Sequence, residues 1–327
     1  PDGSPVVSPD GSRIAYTGFD DRYQGYQVTH LYVMNRDGSD ARRVPTDLDR
    51  DIGGVQWAAD SESVFAQYDD QGTTRVARIG LDGSVENLAA DLGGVGLGRP
   101  YGGGSYTVAA NGTFAYTVNS TQRPADVAVG RPGGEVRRVT RLNVDLLGHK
   151  ALGQVEEMWW DSSHDGRPVH GWLVTPPDFD PSKKYPLILE IHGGPFSNYG
   201  PRFSPEVQLM AAAGYVVLYT NPRGSTSYGE EFGNLIHHAY PGYDYDDLMS
   251  GVDAAIARGF IDENNLMVTG GSGGGVLTAW IVGKTDRFAA AVVAKPVINW
   301  ISFSLTSDGY ASYYQYWLPG PVWEEGN

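Results

Sequence analysis

Apolar positions in the first 143 residues come in short runs separated by polar turns, and the runs repeat. Ser8-Pro9-Asp10-Gly11-Ser12-Arg13-Ile14-Ala15-Tyr16 reads as a turn leading into a strand. Ala58-Ala59-Asp60-Ser61-Glu62-Ser63-Val64-Phe65 repeats the theme 50 residues on, and Ala109-Ala110-Asn111-Gly112-Thr113-Phe114-Ala115-Tyr116 repeats it after 51 more. Each is followed by a second apolar run and a tight turn: Leu31 to Met34 before Asp37-Gly38, Val76 to Ile79 before Asp82-Gly83, and Val127 to Val129 before Gly133-Gly134. Glycine, aspartate and asparagine supply the positive φ that such hairpins need. A period near 50 with several strands per unit is the pattern of propeller blades, so three blades are expected within residues 1–143. Three blades cannot close a ring, and the repeat is in register from residue 1, so further blades are expected before Pro1. An open array of three sheets is the alternative, and it would leave strand edges exposed.

Residues 141–153 read as a connector, and the pattern then changes. Val155 to Asp161 and Val169 to Thr175 predict a hairpin closed at His164-Asp165-Gly166-Arg167 and ended by Pro176-Pro177. Beyond Tyr185, a buried strand at 187–191 and further strands at 215–220, 266–269 and 289–294 alternate with helical stretches. One helix starts at Ser204-Pro205-Glu206, with a cap and a first-position proline, and stops at Gly214. Another is capped at Asp244 and carries Leu248, Val252 and Ile256 on one face. Such alternation predicts a mostly parallel sheet covered on both sides.

Within that alternation lies Gly270-Gly271-Ser272-Gly273-Gly274, between the β-prone run 266–269 and the apolar run 276–282. It fits G-x-S-x-G, a sharp strand-to-helix turn that lifts a serine oxygen clear of the backbone. The helix start directs free N–H groups at the serine and favours negative charge there. A Gly/Ser linker has the same composition but joins polar segments, whereas this stretch joins two apolar ones. Ile191-His192-Gly193-Gly194-Pro195 also follows a strand. A glycine there can offer its N–H to a developing oxyanion, with the N–H of Gly273 as the second donor. In Asn221-Pro222-Arg223-Gly224-Ser225, Arg223 either holds the loop by hydrogen bonds or clamps a substrate carboxylate, the first being the commoner use.

Composition narrows the classes. The 327 residues, 41% hydrophobic, suffice for two domains with their own cores. A formal charge of -15 argues against nucleic acid or an anionic membrane as the main partner and favours solubility. Without cysteine there is no disulfide, thiolate catalysis or cysteine zinc site. Asp244, Asp246 and Asp247 read as a helix cap with an acidic first turn rather than a metal site. No metal and no cofactor are expected. Gly94-Val95-Gly96-Leu97-Gly98 opens no helix and reads as a strand connection. No apolar run reaches the length of a membrane span and Pro1 opens no signal-peptide pattern, so a cytoplasmic location is expected.

Taken together, the propeller-like repeat, His192-Gly193-Gly194-Pro195, Asn221-Pro222-Arg223-Gly224-Ser225 and Gly270-Gly271-Ser272-Gly273-Gly274-Gly275 resemble the prolyl oligopeptidase family of serine peptidases, in its acylaminoacyl-peptidase-like branch. The resemblance covers nearly the whole chain. It implies the C-terminal blades of a β-propeller over residues 1–143 and an α/β-hydrolase catalytic domain over 144–327. It implies Ser272 as nucleophile, Gly194 and Gly273 as oxyanion donors, and Ile298 and Trp300 near the pocket for the residue before the cut. Gly273 stands where many relatives carry Tyr or Asn, which leaves the backbone donor intact.

In α/β-hydrolases the acid and the histidine follow the serine. Here the last histidine is His238, and none occurs in the 55 residues after Ser272. Asp286 reads as a helix end and Asp308 lies in a Ser/Gly-rich loop, and neither reads as the triad acid. The chain is therefore expected to be an internal piece, both domains partial, with the triad Asp and His outside it and the remainder of the same protein as its partner. The function expected for that protein is hydrolysis of short peptides through an acyl-enzyme, including release of N-acylated residues; self-association is compatible with it. An esterase with the same serine machinery and a non-enzymatic propeller scaffold are the competing readings. Glu156-Glu157 would suit the amine of an aminopeptidase substrate but reads better as a solvated face.

Overall fold

The computed structural model describes residues 2–94, 96, 98–309 and 313–324. Val95 and Leu97 of the glycine-rich connection lie outside the described residues. The repeats fold as three antiparallel meanders of four strands. The first comprises β1 (Asp2–Val7), β2 (Arg13–Gly18), β3 (His30–Asn35) and β4 (Arg42–Arg43). The second comprises β5 (Gly53–Trp57), β6 (Ser63–Asp70), β7 (Thr73–Gly80) and β8 (Val85–Leu92). The third comprises β9 (Tyr106–Val108), β10 (Phe114–Ser120), β11 (Arg123–Gly130) and β12 (Arg137–Arg138). Each predicted turn-strand theme falls on the second strand of its meander. Separate sheets are not what forms throughout. β9 covers β10 only from Phe114 to Tyr116, so Val118 pairs with Leu92 and the second and third meanders join in one eight-stranded sheet. Ala15, Leu31, Val33, Val64, Ala66, Ala77 and Ile79 form one core, and Val76, Leu92, Phe114, Tyr116 and Ala128 another. The alternation of buried and half-exposed residues along β11 is that of a strand packed on one face, whereas β7 buries Val76 on one side and Ala77 and Ile79 on the other.

A short helix α1 (Val144–Leu147) occupies the predicted connector. The second region is a six-stranded sheet in the order β13 (Gln154–Asp161), β14 (Pro168–Thr175), β16 (Val216–Asn221), β15 (Tyr185–Ile191), β17 (Ile261–Gly271) and β18 (Ala290–Ala294). From β16 to β18 all pairs are parallel, as the strand-helix alternation predicts. Helices α2 (Pro205–Ala212), α3 (Glu230–Asn234), α4 (Asp244–Ile256) and α5 (Gly273–Val282) lie between strands, and α6 (Trp300–Thr306) follows β18. Ser204 caps α2 by accepting the Val207 N–H at 3.2 Å. Along β15, Leu187, Leu189 and Ile191 pack with Leu248 and Val252 of α4 and Leu277 and Ile281 of α5. Ile188 faces the other way, with Val207 and Ala211 of α2 and Trp172, Val217 and Tyr219. Burial on both faces explains the unbroken apolar runs of β15 and β16, whereas β18, at the end of the sheet, is exposed.

Candidate active site

The β17–α5 turn is sharp because three backbone segments meet there. A Cβ on Gly270 would collide with the Gly274 carbonyl, and one on Gly274 with the Ile191 carbonyl at the end of β15, so both positions admit only glycine. Ser272, between strand and helix, has φ 58 and ψ -117, a strained conformation for a residue with a side chain. Its N–H donates to Ala294 O at 3.1 Å and its carbonyl accepts the Val276 N–H at 3.0 Å. Backbone contacts thus fix the turn, while the residue itself is exposed. Among the described residues no side chain hydrogen-bonds the Ser272 hydroxyl.

The loop after β15 lies against this turn. A Cβ on Gly273 would stand 2.9 Å from the carbonyl carbon and oxygen of Gly194 and 3.0 Å from its nitrogen, so the two peptides are in van der Waals contact. Gly273 is the first residue of α5 and its N–H has no intrahelical acceptor. The structure thus brings together the three residues expected to act together, Ser272, Gly273 and Gly194. His192 is buried beneath them. Its Nδ1 is 2.8 Å from Gly193 O, which can only accept, and its Nε2 is 2.9 Å from Ser225 Oγ. Burial lowers its pKa to about 4, so the imidazole stays neutral. With both nitrogens engaged, it anchors the loop. His237 and His238 stack on each other at 3.8 Å, and the Gly25 N–H donates to His237 Nδ1 at 3.2 Å.

Arg223 is 4% exposed, and its guanidinium is bound to Asp247 at 2.8 Å, Ser162 at 3.1 Å and Asp165 at 3.1 Å. These are the bonds of a loop-holding residue; clamping a substrate carboxylate would require breaking the buried pair with Asp247. Of the acidic trio, Asp244 is the first residue of α4 rather than the one before it, and it accepts the N–H groups of Gly242 at 2.8 Å and Tyr245 at 2.9 Å. Burial raises Asp244 to about 7. Among the described residues no three His, Asp or Glu side chains are grouped to hold a metal. Glu156 pairs with Arg258 at 2.6 Å, and Glu157 lies 3.0 Å from His170 Nε2. Ile298 is 67% exposed and Trp300 opens α6, four and six residues beyond the Ala294 carbonyl that receives the Ser272 N–H.

Three contacts around the site lie on residues the sequence pattern did not single out. Tyr240 Oη donates to Gly273 O at 2.8 Å. Gly193 N–H donates to Tyr101 Oη at 2.6 Å. Arg99 Nε lies 3.2 Å from Glu190 Oε1, on the strand that leads into the loop. Glu190 is 1% exposed and burial pushes its pKa up to about 7, against the attraction of Arg99. No local pattern marks a tyrosine that works from another region, and Glu190 in Leu189-Glu190-Ile191 is the sole hint, a charge inside a buried strand. Beside the loop, a cleft of about 460 Å³ is lined by Phe19, Tyr26, Asp51, Phe196, Tyr316 and Trp317. Tyr26 stacks on Phe196 at 6.0 Å and Trp317 meets Phe196 edge-on at 5.2 Å, so both regions of the chain build its wall.

Comparison with known proteins finds relatives named as peptidases. Over 265 residues, 79% of this chain, it is 39% identical to the uncharacterised peptidase YuxL of Bacillus subtilis, covering 39% of that protein. Over its whole length it is 27% identical to dipeptidyl-peptidase 5 of Porphyromonas gingivalis, covering 47% of it. The chain thus spans about two fifths to one half of the length of these relatives. Among solved structures, the acylaminoacyl peptidase of Pyrococcus horikoshii superposes with a TM-score of 0.85 over 98% of this chain and 49% of that one, at 23% identity, and so shares its fold. Residues 201–325, which carry the serine turn, match the prolyl oligopeptidase family of peptidases.

Proposed function

We propose that the full-length protein is a serine peptidase that cleaves short peptides through an acyl-enzyme, with Ser272 as nucleophile. The observation that carries this reading is an exposed serine held at a strained φ of 58° by backbone contacts alone, with Gly273 and Gly194 packed beside it. Ser272 Oγ attacks the peptide carbonyl, and its proton passes to a base. The carbonyl oxygen becomes an oxyanion held by the N–H groups of Gly194 and Gly273. As the intermediate collapses, the C–N bond breaks and the base returns the proton to the leaving amine. Water then hydrolyses the ester by the same route. The base is a histidine from a segment outside these 327 residues, since His192 is locked in the loop and His237 accepts from Gly25. The three meanders act as propeller blades that narrow access to small, flexible peptides. Ile298 and Trp300 contact the residue before the cut, and release of N-acylated residues is one form of the activity.

The test is labelling of the full-length protein with a fluorophosphonate, with the adduct located by mass spectrometry. The adduct is expected on Ser272, and Ser272→Ala is expected to abolish both labelling and peptide hydrolysis. Labelling of another serine with undiminished turnover in Ser272→Ala would remove Ser272 from its role, and cleavage of esters but no peptide would make the protein an esterase.

A further inference from the structure

We propose that Tyr101 is a positioning residue for the oxyanion loop, acting through the N–H of Gly193, and that residues 98–102 form a strap from the antiparallel region that sets the loop's geometry. The inference rests on the reading of Ser272 and Gly194 given above.

Gly193-Gly194 has no side chain of its own to anchor it, and a glycine pair is the least constrained dipeptide a chain can hold. Donors for a developing oxyanion work only if their direction is set before the charge appears. Tyr101 supplies that constraint from outside the sheet, because its hydroxyl oxygen takes the Gly193 N–H at 2.6 Å. The peptide carrying that N–H is covalently next to the one carrying the Gly194 N–H, so fixing the first limits the rotation of the second. The hydroxyl is also close to the nucleophile: a Cβ built on Gly193 would lie 3.1 Å from Tyr101 Oη and 3.3 Å from Ser272 Cβ.

The strap is itself held along its length. Ser204 Oγ donates to Gly98 O at 2.7 Å, Gly200 N–H to Pro100 O at 2.9 Å, and Gly102 N–H to Asn198 O at 3.3 Å. The Tyr101 ring packs edge-on against the buried Tyr199, centroids 4.8 Å apart. Arg99 reaches Glu190, two residues upstream of His192, and a Cβ on Gly271 would stand 2.8 Å from Arg99 Nη1. The strap therefore touches both the strand that feeds the oxyanion loop and the residue before the nucleophile. It lies between β8 and β9, so the antiparallel region contributes to the catalytic geometry as well as to the wall of the cleft.

The experiment is Tyr101→Phe in the full-length protein, which keeps the ring on Tyr199 and removes the acceptor. Rates are read per molecule of Ser272 titrated with a fluorophosphonate, so that a fall in the folded fraction does not mimic a fall in rate. Loss of a complete oxyanion donor costs roughly 10²–10³ in kcat. Loosening one is expected to cost less, roughly 10-fold, with KM on a chromogenic peptide within about twofold of wild type. An unchanged kcat overturns the proposal, and so does a raised KM at constant kcat, which would make Tyr101 a substrate contact. Ser272→Ala, run alongside, separates the two readings. If it retains activity, the nucleophile assignment fails; if it is dead while Tyr101→Phe is unaffected, only the strap fails.

Discussion

Two turns of this chain hold a serine at nearly the same φ, 57° at Ser61 and 58° at Ser272, and they use it differently. Ser61 sits in the β5–β6 hairpin, where the other two meanders have Gly11 at 72° and Gly112 at 78°. It is buried, its hydroxyl accepts the Asp10 N–H at 3.3 Å, and its carbonyl accepts from Arg13 Nη1 at 3.1 Å. The strain there is offset by a stitch between the first and second meanders. Ser272 has backbone partners, but among the described residues no side chain hydrogen-bonds its hydroxyl, and the residue is exposed. Positive φ in a hairpin is a means of turning the chain; at the end of a buried parallel strand it leaves the side chain exposed, as the proposed nucleophile role requires.

The largest effect should separate the two serines outright. In the full-length protein Ser272→Ala is expected to lower kcat by at least roughly 10³-fold, whereas Ser61→Ala should leave kcat unchanged, as steady-state assays on a chromogenic peptide would show. Equal losses would mean that the hairpin strain matters to catalysis. Next come glycines from the two regions, Gly274 in the serine turn and Gly38 in the β3–β4 turn. Gly274→Ala drives a Cβ into the Ile191 carbonyl and should cost roughly 2–3 kcal/mol. Gly38→Ala, at φ 85 with open space around it, should cost only about 1 kcal/mol. Urea unfolding of both variants decides this, and a larger loss at Gly38 would reverse the ranking.

A third effect distinguishes the regions by pH. The hairpin acids Asp10, Asp37 and Asp82 are held below the usual carboxylate range, first by hydrogen bonds from Ser8, Ser39 and Ser84. Their contribution to stability is present above pH 4 and fades as pH falls toward 2. Glu190 and Asp244, in the mixed-sheet region, are raised by burial to about 7, so the native state holds protons that the unfolded chain gives up near pH 4. Their contribution is complete below pH 4 and is lost as pH rises through 7. Urea midpoints should therefore fall between pH 5 and 8, and Glu190→Gln should flatten that slope; an unchanged slope would assign it to other groups. The smallest effect is Ser61→Gly, where relief of the positive φ and loss of the Asp10 N–H bond oppose each other, so stability should change by less than about 1 kcal/mol with activity intact. Ser272→Gly, with no side-chain bond to lose among the described residues, should relax the strain at the cost of all turnover, and a loss of stability there would show that the serine turn is not strained.

Much of the site was legible because its chemistry is local. G-x-S-x-G needs small residues where strand and helix touch, and the collisions a Cβ would meet at Gly270 and Gly274 are the physical content of that pattern. The three meanders were legible because alternation and Asp/Asn-Gly turns act over a few residues. The union of the second and third into one sheet was not, since it depends on how short β9 is and on Leu92 meeting Val118 across 26 positions. Arg223 could be read either as a clamp or as a strut, and only the positions of Asp247 and Asp165 show where its guanidinium is spent.

The sequence by itself determined the order of elements, the serine on its turn and the glycine pair of the facing loop, because backbone sterics and hydrophobic period act between near neighbours. Only the tertiary structure decided what holds those parts in place. Tyr101 lies 92 positions from Gly193 and Tyr240 33 from Gly273. Arg99 and Glu190 meet from different regions of the chain. A hydrogen bond reads distance in space and not along the chain, so nothing in the order of residues ties Tyr101 to Gly193 until the antiparallel region has packed against the mixed sheet.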